Sequence, residues 1–193
     1  MTGMKSAFQI INRMVADGVI GTYAVGGAVA ALNYIEPMLT DDLDVLISVD
    51  RLENQPRPGL VTLEPVFAYL RNAGYTEFRR EGIVVEGWPV QFLPVASDLD
   101  AESLAQAVAV DIEVGGGTPA IGVRTLRAEH VVATALKVGR PKDRIRITQF
   151  LSENAVDLGT LHAVLKRHDL LEAWSKFCAQ TGIPDPYGLS SEP

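Results

Sequence analysis

The stretch "YAVGGAVAALNYIEPMLTDDLDVLISVD", residues 23–50, carries the reading of the fold. A short apolar run ends in Gly26-Gly27, an alanine-rich segment follows, and Pro37 stops it. Asp41, Asp42 and Asp44 then open a β-branched apolar run. "TYAV" (22–25) reads as a short strand, "GGAVAALNYI" (26–35) as a helix whose alanines suit close packing, and "DLDVLISV" (42–49) as a second strand. Side chains at i and i+2 of a strand share a face. Asp42 and Asp44 therefore lie together, about 6.5–7 Å apart at Cα, with Leu46 and Ser48 continuing their face and Val45, Ile47 and Val49 on the other.

Two carboxylates that close repel unless positive charge lies between them. Hard cations such as Mg²⁺ take oxygen ligands and are held by one or two carboxylates plus substrate phosphates. The plain alternative is a polar strand start, with Asp41 and Asp42 forming a turn and Asp44 facing solvent. Gly26-Gly27 bears on the choice. Glycine lets backbone approach a ligand closely, and a helix N-terminus offers free N–H groups and positive potential to phosphate. Alone, the pair is a tight strand-to-helix turn. It is not a dinucleotide-binding G-x-G-x-x-G, because the third glycine is absent and the spacing differs. Together the pieces describe a phosphate-cradling turn on one strand and a metal-holding acid pair on a nearby one, with the helix between returning the chain to an adjacent strand.

The rest of the sequence sets the frame. At 193 residues, 47% hydrophobic and 21% charged, the chain reads as globular, either a single domain of ordinary size with a sizeable core or a domain plus a helical appendage. No apolar run reaches the length of a membrane span, so no membrane role is expected. "MTGMKSAFQIINRMVADG" breaks its apolar pattern at Asn12, Arg13 and Asp17, which argues against a signal peptide. The one cysteine, Cys178, rules out an intramolecular disulfide and speaks against structural zinc; a reducing cytoplasm fits. The net charge of −7 opposes broad, non-specific nucleic-acid binding.

Residues 5–17 carry helical spacing at Phe8, Ile11, Met14 and Val15. "RLENQPRPGLVT" reads as a loop, and "LEPVFAYLRNAGY" (63–75) as a helix closed by Gly74. "TEFRRE", "IVVEG" and "WPVQFLPV" read as strands, the first two joined at Glu81-Gly82. "DAESLAQAVA" (100–109) reads as a short helix, and "VDIEVGGGTPAIGV" as a hairpin turning at Gly115 to Gly117. From Leu126 onward four helical segments follow one another. Pro141 stands at a first helical turn and Asp157 at an N-cap; "IPDPYGLSSEP" is expected to be loose.

The glycine turn and acid pair resemble the signature of the nucleotidyltransferase superfamily to which DNA polymerase β belongs: Val25-Gly26-Gly27, then Asp42-Leu43-Asp44, with Thr40 two residues before the first aspartate. More narrowly, the chain is similar to small bacterial nucleotidyltransferase-like proteins related to the toxins of abortive-infection type IV toxin–antitoxin systems. "RAEHVVATALKVGRPKDR" resembles their helical signature through Glu129, Lys137, Arg140, Lys142 and Asp143. The resemblance implies an α+β fold. A nucleotidyltransferase-type mixed β-sheet with flanking helices (1–123) is followed by a closely packed C-terminal helical domain (124–193). It implies that Gly26 and Gly27 bind the triphosphate, with Thr40, Lys137 and Lys142 at the nucleotide, and that Asp42 and Asp44 hold Mg²⁺. A hydroxyl of RNA, protein or a small molecule would attack the α-phosphorus of a nucleoside triphosphate and release pyrophosphate, and an antitoxin partner would accompany a toxin.

The resemblance also implies a third carboxylate in "GWPVQFLPV", where Gln91 stands. An amide can offer a metal its carbonyl oxygen, but it is neutral and cannot take a proton. Either another acid substitutes (Glu86, or the i, i+2 pair Asp111 and Glu113), or the fold binds a nucleotide or partner without chemistry. Glu86 also reads as a turn residue, and Asp111 and Glu113 as the solvent face of a hairpin. Lys137, in an apolar helix, should face a cleft or reach solvent. Lys142, Arg144 and Arg146 read as a basic cluster, either steering an anion such as RNA or forming a solvated helix face. His130, His162 and His168 show no metal spacing, and Trp88 and Trp174 read as packing residues.

Overall fold

A computed structural model describes residues 2–48, 50, 61–112 and 120–188. The elements run α1 (Thr2–Ala16), β1 (Tyr23–Val25), α2 (Gly27–Ala31), β2 (Leu43–Ile47), α3 (Glu64–Asn72), β3 (Phe78–Arg79), β4 (Gly82–Val85), β5 (Trp88–Pro94), α4 (Asp98–Ala105), β6 (Val108–Ile112) and β7 (Ile121–Thr125). Then come α5 (Ala128–Val138), α6 (Pro141–Ser152), α7 (Leu158–Arg167) and α8 (Leu171–Thr181). The class is α+β: a seven-stranded mixed sheet with flanking helices, followed by consecutive helices. Among the described residues no helix is long and apolar enough to cross a membrane. The chain forms two compact units, Met1–Val29 with Leu39–Leu126, and Ala30–Met38 with Arg127–Pro193.

In the first unit the strand order is β3-β4-β5-β2-β1-β7-β6. β2 runs parallel to β5 and antiparallel to β1, and β1 runs parallel to β7. Alternation along β2 sends Leu43, Val45 and Ile47 into a core with Phe8, Ile11 and Met14 of α1 and Val66 and Leu70 of α3. Each such side chain contributes about 1.5–3 kcal/mol when fully buried. The opposite face carries Asp44 and Leu46. There α4 lies against β2 and buries Leu99 and Leu104. Ser97 caps α4, its hydroxyl accepting from Asp100 N at 3.3 Å, and Arg124 Nη2 donates to Leu104 O at 3.2 Å near its end.

Several boundaries differ from the sequence reading, each for a local reason. The first alanine-rich helix is only α2; turns follow it, and Asn33 Nδ2 donates to Ala30 O at 3.1 Å, competing with the helical ladder. The β3–β4 turn falls at Arg80-Glu81, with Arg80 at φ 56°, rather than at Glu81-Gly82. Gly82 is a strand residue: a Cβ there would meet Pro89 C and Val90 N at 3.0 Å. The helix expected over 100–109 runs Asp98–Ala105, because Ser97 starts it early and Val108 already pairs with Thr125. Asp42 precedes β2 rather than lying within it. Val49, most of "RLENQPRPGLVT", Glu113 and the turn at Gly115 to Gly117 lie outside the described residues.

In the second unit α5 contacts α6, α7 and α8. Its C-terminus closes at Gly139, in the left-handed region at φ 70°. Ile147, Phe150, Leu161, Leu165 and Trp174 are fully buried. Pro141 opens α6, and Asp157 caps α7, its carboxylate accepting from Thr160 N at 2.6 Å. The tail is not loose over 183–188. Trp174 Nε1 donates to Asp185 Oδ1 at 3.1 Å, Tyr187 OH donates to Leu158 O at 2.8 Å, and its ring lies 4.6 Å from that of His162. Burial pushes the Tyr187 hydroxyl well above its ordinary pKa.

Candidate functional site

The glycine turn and the acidic strand start are one structure. β1 ends at Val25, and Gly26 N donates to Asp44 O at 2.9 Å, extending the β1–β2 ladder into the turn. Gly27 then turns at φ 59°, in the left-handed region. A Cβ on Gly27 would stand 2.2 Å from Asp44 Oδ2 and 3.1 Å from its Cγ. The Asp44 carboxylate therefore fills the space that any other residue at 27 would occupy. Gly26 makes no such demand, since a Cβ there would meet only Leu126 Cδ1 at 3.5 Å. Five residues make α2 too short to raise a substantial end dipole, so its N-terminus adds little potential, and the turn's own geometry is what remains for an anion.

Asp42 is oriented by its neighbour. Thr40 Oγ1 lies 3.0 Å from Asp42 Oδ1 and 3.2 Å from Asp42 O, within hydrogen-bond reach of both acceptors. Asp42 and Asp44 are both half-buried. Asp41 points elsewhere, forming an exposed pair with Arg80 at 3.0 Å.

Gln91 stands directly opposite Asp44 in the parallel β2–β5 register, so the two share a face. Its Nε2 donates to Glu81 Oε2 at 2.8 Å. Glu81 was not among the acids picked out from the sequence, because it follows Arg80 in a turn and shows no spacing to the aspartates. The signal available was the hairpin: antiparallel pairing of β4 with β5 brings the chain before Gly82 alongside Gln91. The substitutes that the sequence did suggest lie elsewhere. Glu86 sits in the β4–β5 turn at φ 52° and accepts a hydrogen bond from Tyr75 OH, which pushes the Tyr75 pKa up to about 12. Tyr75 packs against the core under α1 and α3, on the face away from Asp44. Asp111 is exposed on β6, three strands from β2 and opposite Gly122.

The helical signature residues belong to the second unit. Lys137 and Lys142 are exposed there. Asp143 is fully buried and serves the fold. It accepts from Arg140 N at 3.2 Å, Arg140 Nε at 2.8 Å and Arg146 Nη1 at 3.2 Å, closing a capping box at the start of α6. The expected basic cluster of Lys142, Arg144 and Arg146 is thereby corrected: Arg146 is only 5% exposed and turned inward to Asp143. Glu129, also buried, accepts from Asp157 N at 3.4 Å and lies 3.6 Å from Arg127 Nε. His130 is buried on α5, and the His162 ring lies tilted against that of Tyr187.

For a metal, the side chains at the strand mouth offer oxygen: the carboxylates of Asp42 and Asp44, the Thr40 hydroxyl and the Gln91 amide. Such a hard donor set suits Mg²⁺ or another oxygen-loving divalent cation. Among the described residues no three His, Cys, Asp or Glu side chains are gathered as a metal cluster. No protein-family model matches the chain, and no curated protein matches it significantly.

Proposed function

We propose that the glycine turn and the strand mouth of the first unit bind a Mg²⁺–nucleoside triphosphate, and that the chain is a nucleotidyltransferase-type enzyme. It would transfer a nucleoside monophosphate to a hydroxyl of an RNA, a protein or a small molecule, with a role in a toxin–antitoxin pair as one setting. The observation that carries this reading is the fit of Asp44 against Gly27: a Cβ there would stand 2.2 Å from the carboxylate. A merely solvated aspartate has no need of a neighbour that lacks a side chain. Here the acid is held at the turn where a triphosphate would lie.

Asp42 and Asp44 would hold the ion, and it would supply charge neutralisation between the triphosphate oxygens. One or two carboxylates with substrate phosphates are the oxygen set by which Mg²⁺ is commonly held. Thr40 keeps the Asp42 carboxylate aimed. Gly26 and Gly27 let the backbone approach the phosphates closely.

The test is thermal unfolding of wild type and Asp44→Asn with Mg²⁺ and each of ATP, GTP, CTP and UTP. A ligand at a hundred times its dissociation constant stabilises by about 2.7 kcal/mol, a readily measured shift. The expected result is a Mg²⁺-dependent shift with at least one nucleotide that Asp44→Asn abolishes. An unchanged shift in the variant removes the site assignment. No shift with any nucleotide favours a partner-binding protein that keeps the fold without the chemistry.

A further inference from the structure

A cavity of about 310 Å³ lies in the first unit, at the far end of β2 from the acidic strand mouth. Thr22, Ser48, Asp50, Val95, Leu104 and Arg124 line it, so it sits under the C-terminal end of α4. Ser48 continues the face of Asp44 but stands four residues further on, about 13 Å away. The cavity is therefore separate from the glycine turn, and its size falls at the lower end of small-ligand pockets. Val123 points into the core, which puts Arg124 on the opposite face of β7, toward α4. Arg124 Nη2 donates to Leu104 O at 3.2 Å and so caps the last turn of the helix. Its Nε is buried without a hydrogen-bond partner. Capping uses one of the five guanidinium N–H groups and gives no reason to bury another unpaired. An orphaned buried donor is destabilising, and native interiors hold few of them.

Asp50 lines the same cavity and is exposed. Among the described residues, Arg124 and Asp50 form no ion pair, with each other or with a third group. A cation and an anion that border one cavity without touching match an occupant that carries both charges. Ser48 Oγ accepts from Thr22 N at 2.9 Å, which leaves its own O–H to donate, and Thr22 adds a second hydroxyl. From this lining we infer that the cavity binds an aliphatic α-amino acid as its zwitterion. Arg124 Nε–H, with the N–H beside it on the planar guanidinium, takes the carboxylate as a paired donor. The Thr22 and Ser48 hydroxyls are further donors to it. The α-ammonium meets Asp50, and the side chain packs on Val95 and Leu104. An inorganic anion leaves Asp50 unmatched, and a simple amine leaves Arg124 unmatched. The inference does not depend on the nucleotide site proposed above.

Isothermal titration of the full chain with L-alanine, L-valine and L-leucine tests it, alongside the amide of each and the matching acid without its amino group. The expected result is saturable binding of at least one of the three amino acids. Its amide binds at least about 10-fold more weakly, as for loss of a charge-assisted pair of hydrogen bonds. The acid without the amino group binds about 3-fold more weakly, a smaller loss because Asp50 is exposed. Arg124→Gln, which keeps a donor for Leu104 O, lowers affinity for the amino acid as the amide does. In Asp50→Asn the amino acid and the acid without its amino group bind alike. Asp50 is exposed and outside any ion pair, so this variant keeps the fold and decides the matter where Arg124→Gln does not fold. Failure of all three amino acids to bind at millimolar concentration overturns the inference. So does an amide that binds as tightly as its amino acid, an acid that binds as tightly without its amino group, or an Asp50→Asn variant that keeps the preference for the zwitterion.

Discussion

The chain gathers acids in two places and uses them in opposite ways. At the start of α6, Asp143 is sealed from solvent and its oxygens are taken up by Arg140 and Arg146. At the mouth of β2, Asp42 and Asp44 are half-buried, one aimed by a threonine hydroxyl and the other pressed against a glycine. A saturated, buried carboxylate is architecture, since moving it strands its partners. An oriented carboxylate with one side toward solvent can still be reached from outside. The resemblance drew on both groups of residues, and in the structure Asp143 closes the capping box of α6.

The sharpest way to break that contrast is Asp143→Asn. It removes the charge facing Arg146, which is 5% exposed and would be left as a buried cation without its carboxylate. Losing one member of a buried pair costs about 3–5 kcal/mol, and the retained amide oxygen at the cap keeps the expected value near the lower end. Urea denaturation followed by circular dichroism measures it. A cost below about 1 kcal/mol, in the range of exposed pairs, would mean that Asp143 is not the architectural acid described here.

Gly27→Ala attacks the other side of the comparison. Alanine at φ 59° is strained, and its Cβ would force the Asp44 carboxylate away from 2.2 Å. The expected cost is about 1–3 kcal/mol in stability, with loss of any Mg²⁺–nucleotide thermal shift. Gly26→Ala is the control, because its Cβ meets only an ordinary contact at 3.5 Å. If both substitutions behave alike, the turn is a loop requirement and not a seat for the acid.

The fold was largely legible because its signals are local. Alternation at Val45 and Ile47 marked β2, and helical spacing at Phe8, Ile11 and Met14 marked α1. Pro141 and Asp157 stand where their chemistry put them. The contact of Asp44 with the Gly26-Gly27 turn was within reach of the sequence because the turn and the strand are close along the chain. Glu81 was not, because its link to Gln91 depends on hairpin register, and nothing in "FRREGI" states which residue the turn delivers across β5. The tail was misread for a similar reason. "IPDPYG" has the composition of a loose end, yet Asp185 and Tyr187 find Trp174 and His162 only once α7 and α8 have folded. Arg146 looked like part of a solvated basic face until the helix turned it toward Asp143.

The smallest expected effect sharpens the comparison at a third acid. Asp157 is exposed, as a ligand-binding acid would be, yet it is engaged with its own backbone, as an architectural one would be. The Thr160 backbone N–H donates to it at 2.6 Å, and this holds its pKa below the ordinary aspartate value. A lowered pKa in the folded state means that folding favours the charged form. The contribution is therefore fully present above the unfolded-state pKa of about 3.9 and is lost as pH falls through the lower folded value. Asp157→Ala should melt at a lower temperature than wild type at pH 7, and the gap between the two should close as pH falls below about 4. A gap that stays constant down to pH 2 would mean that the charge does no capping. Asp157 would then contribute through shape alone, and exposure by itself would no longer separate this acid from those at the mouth of β2.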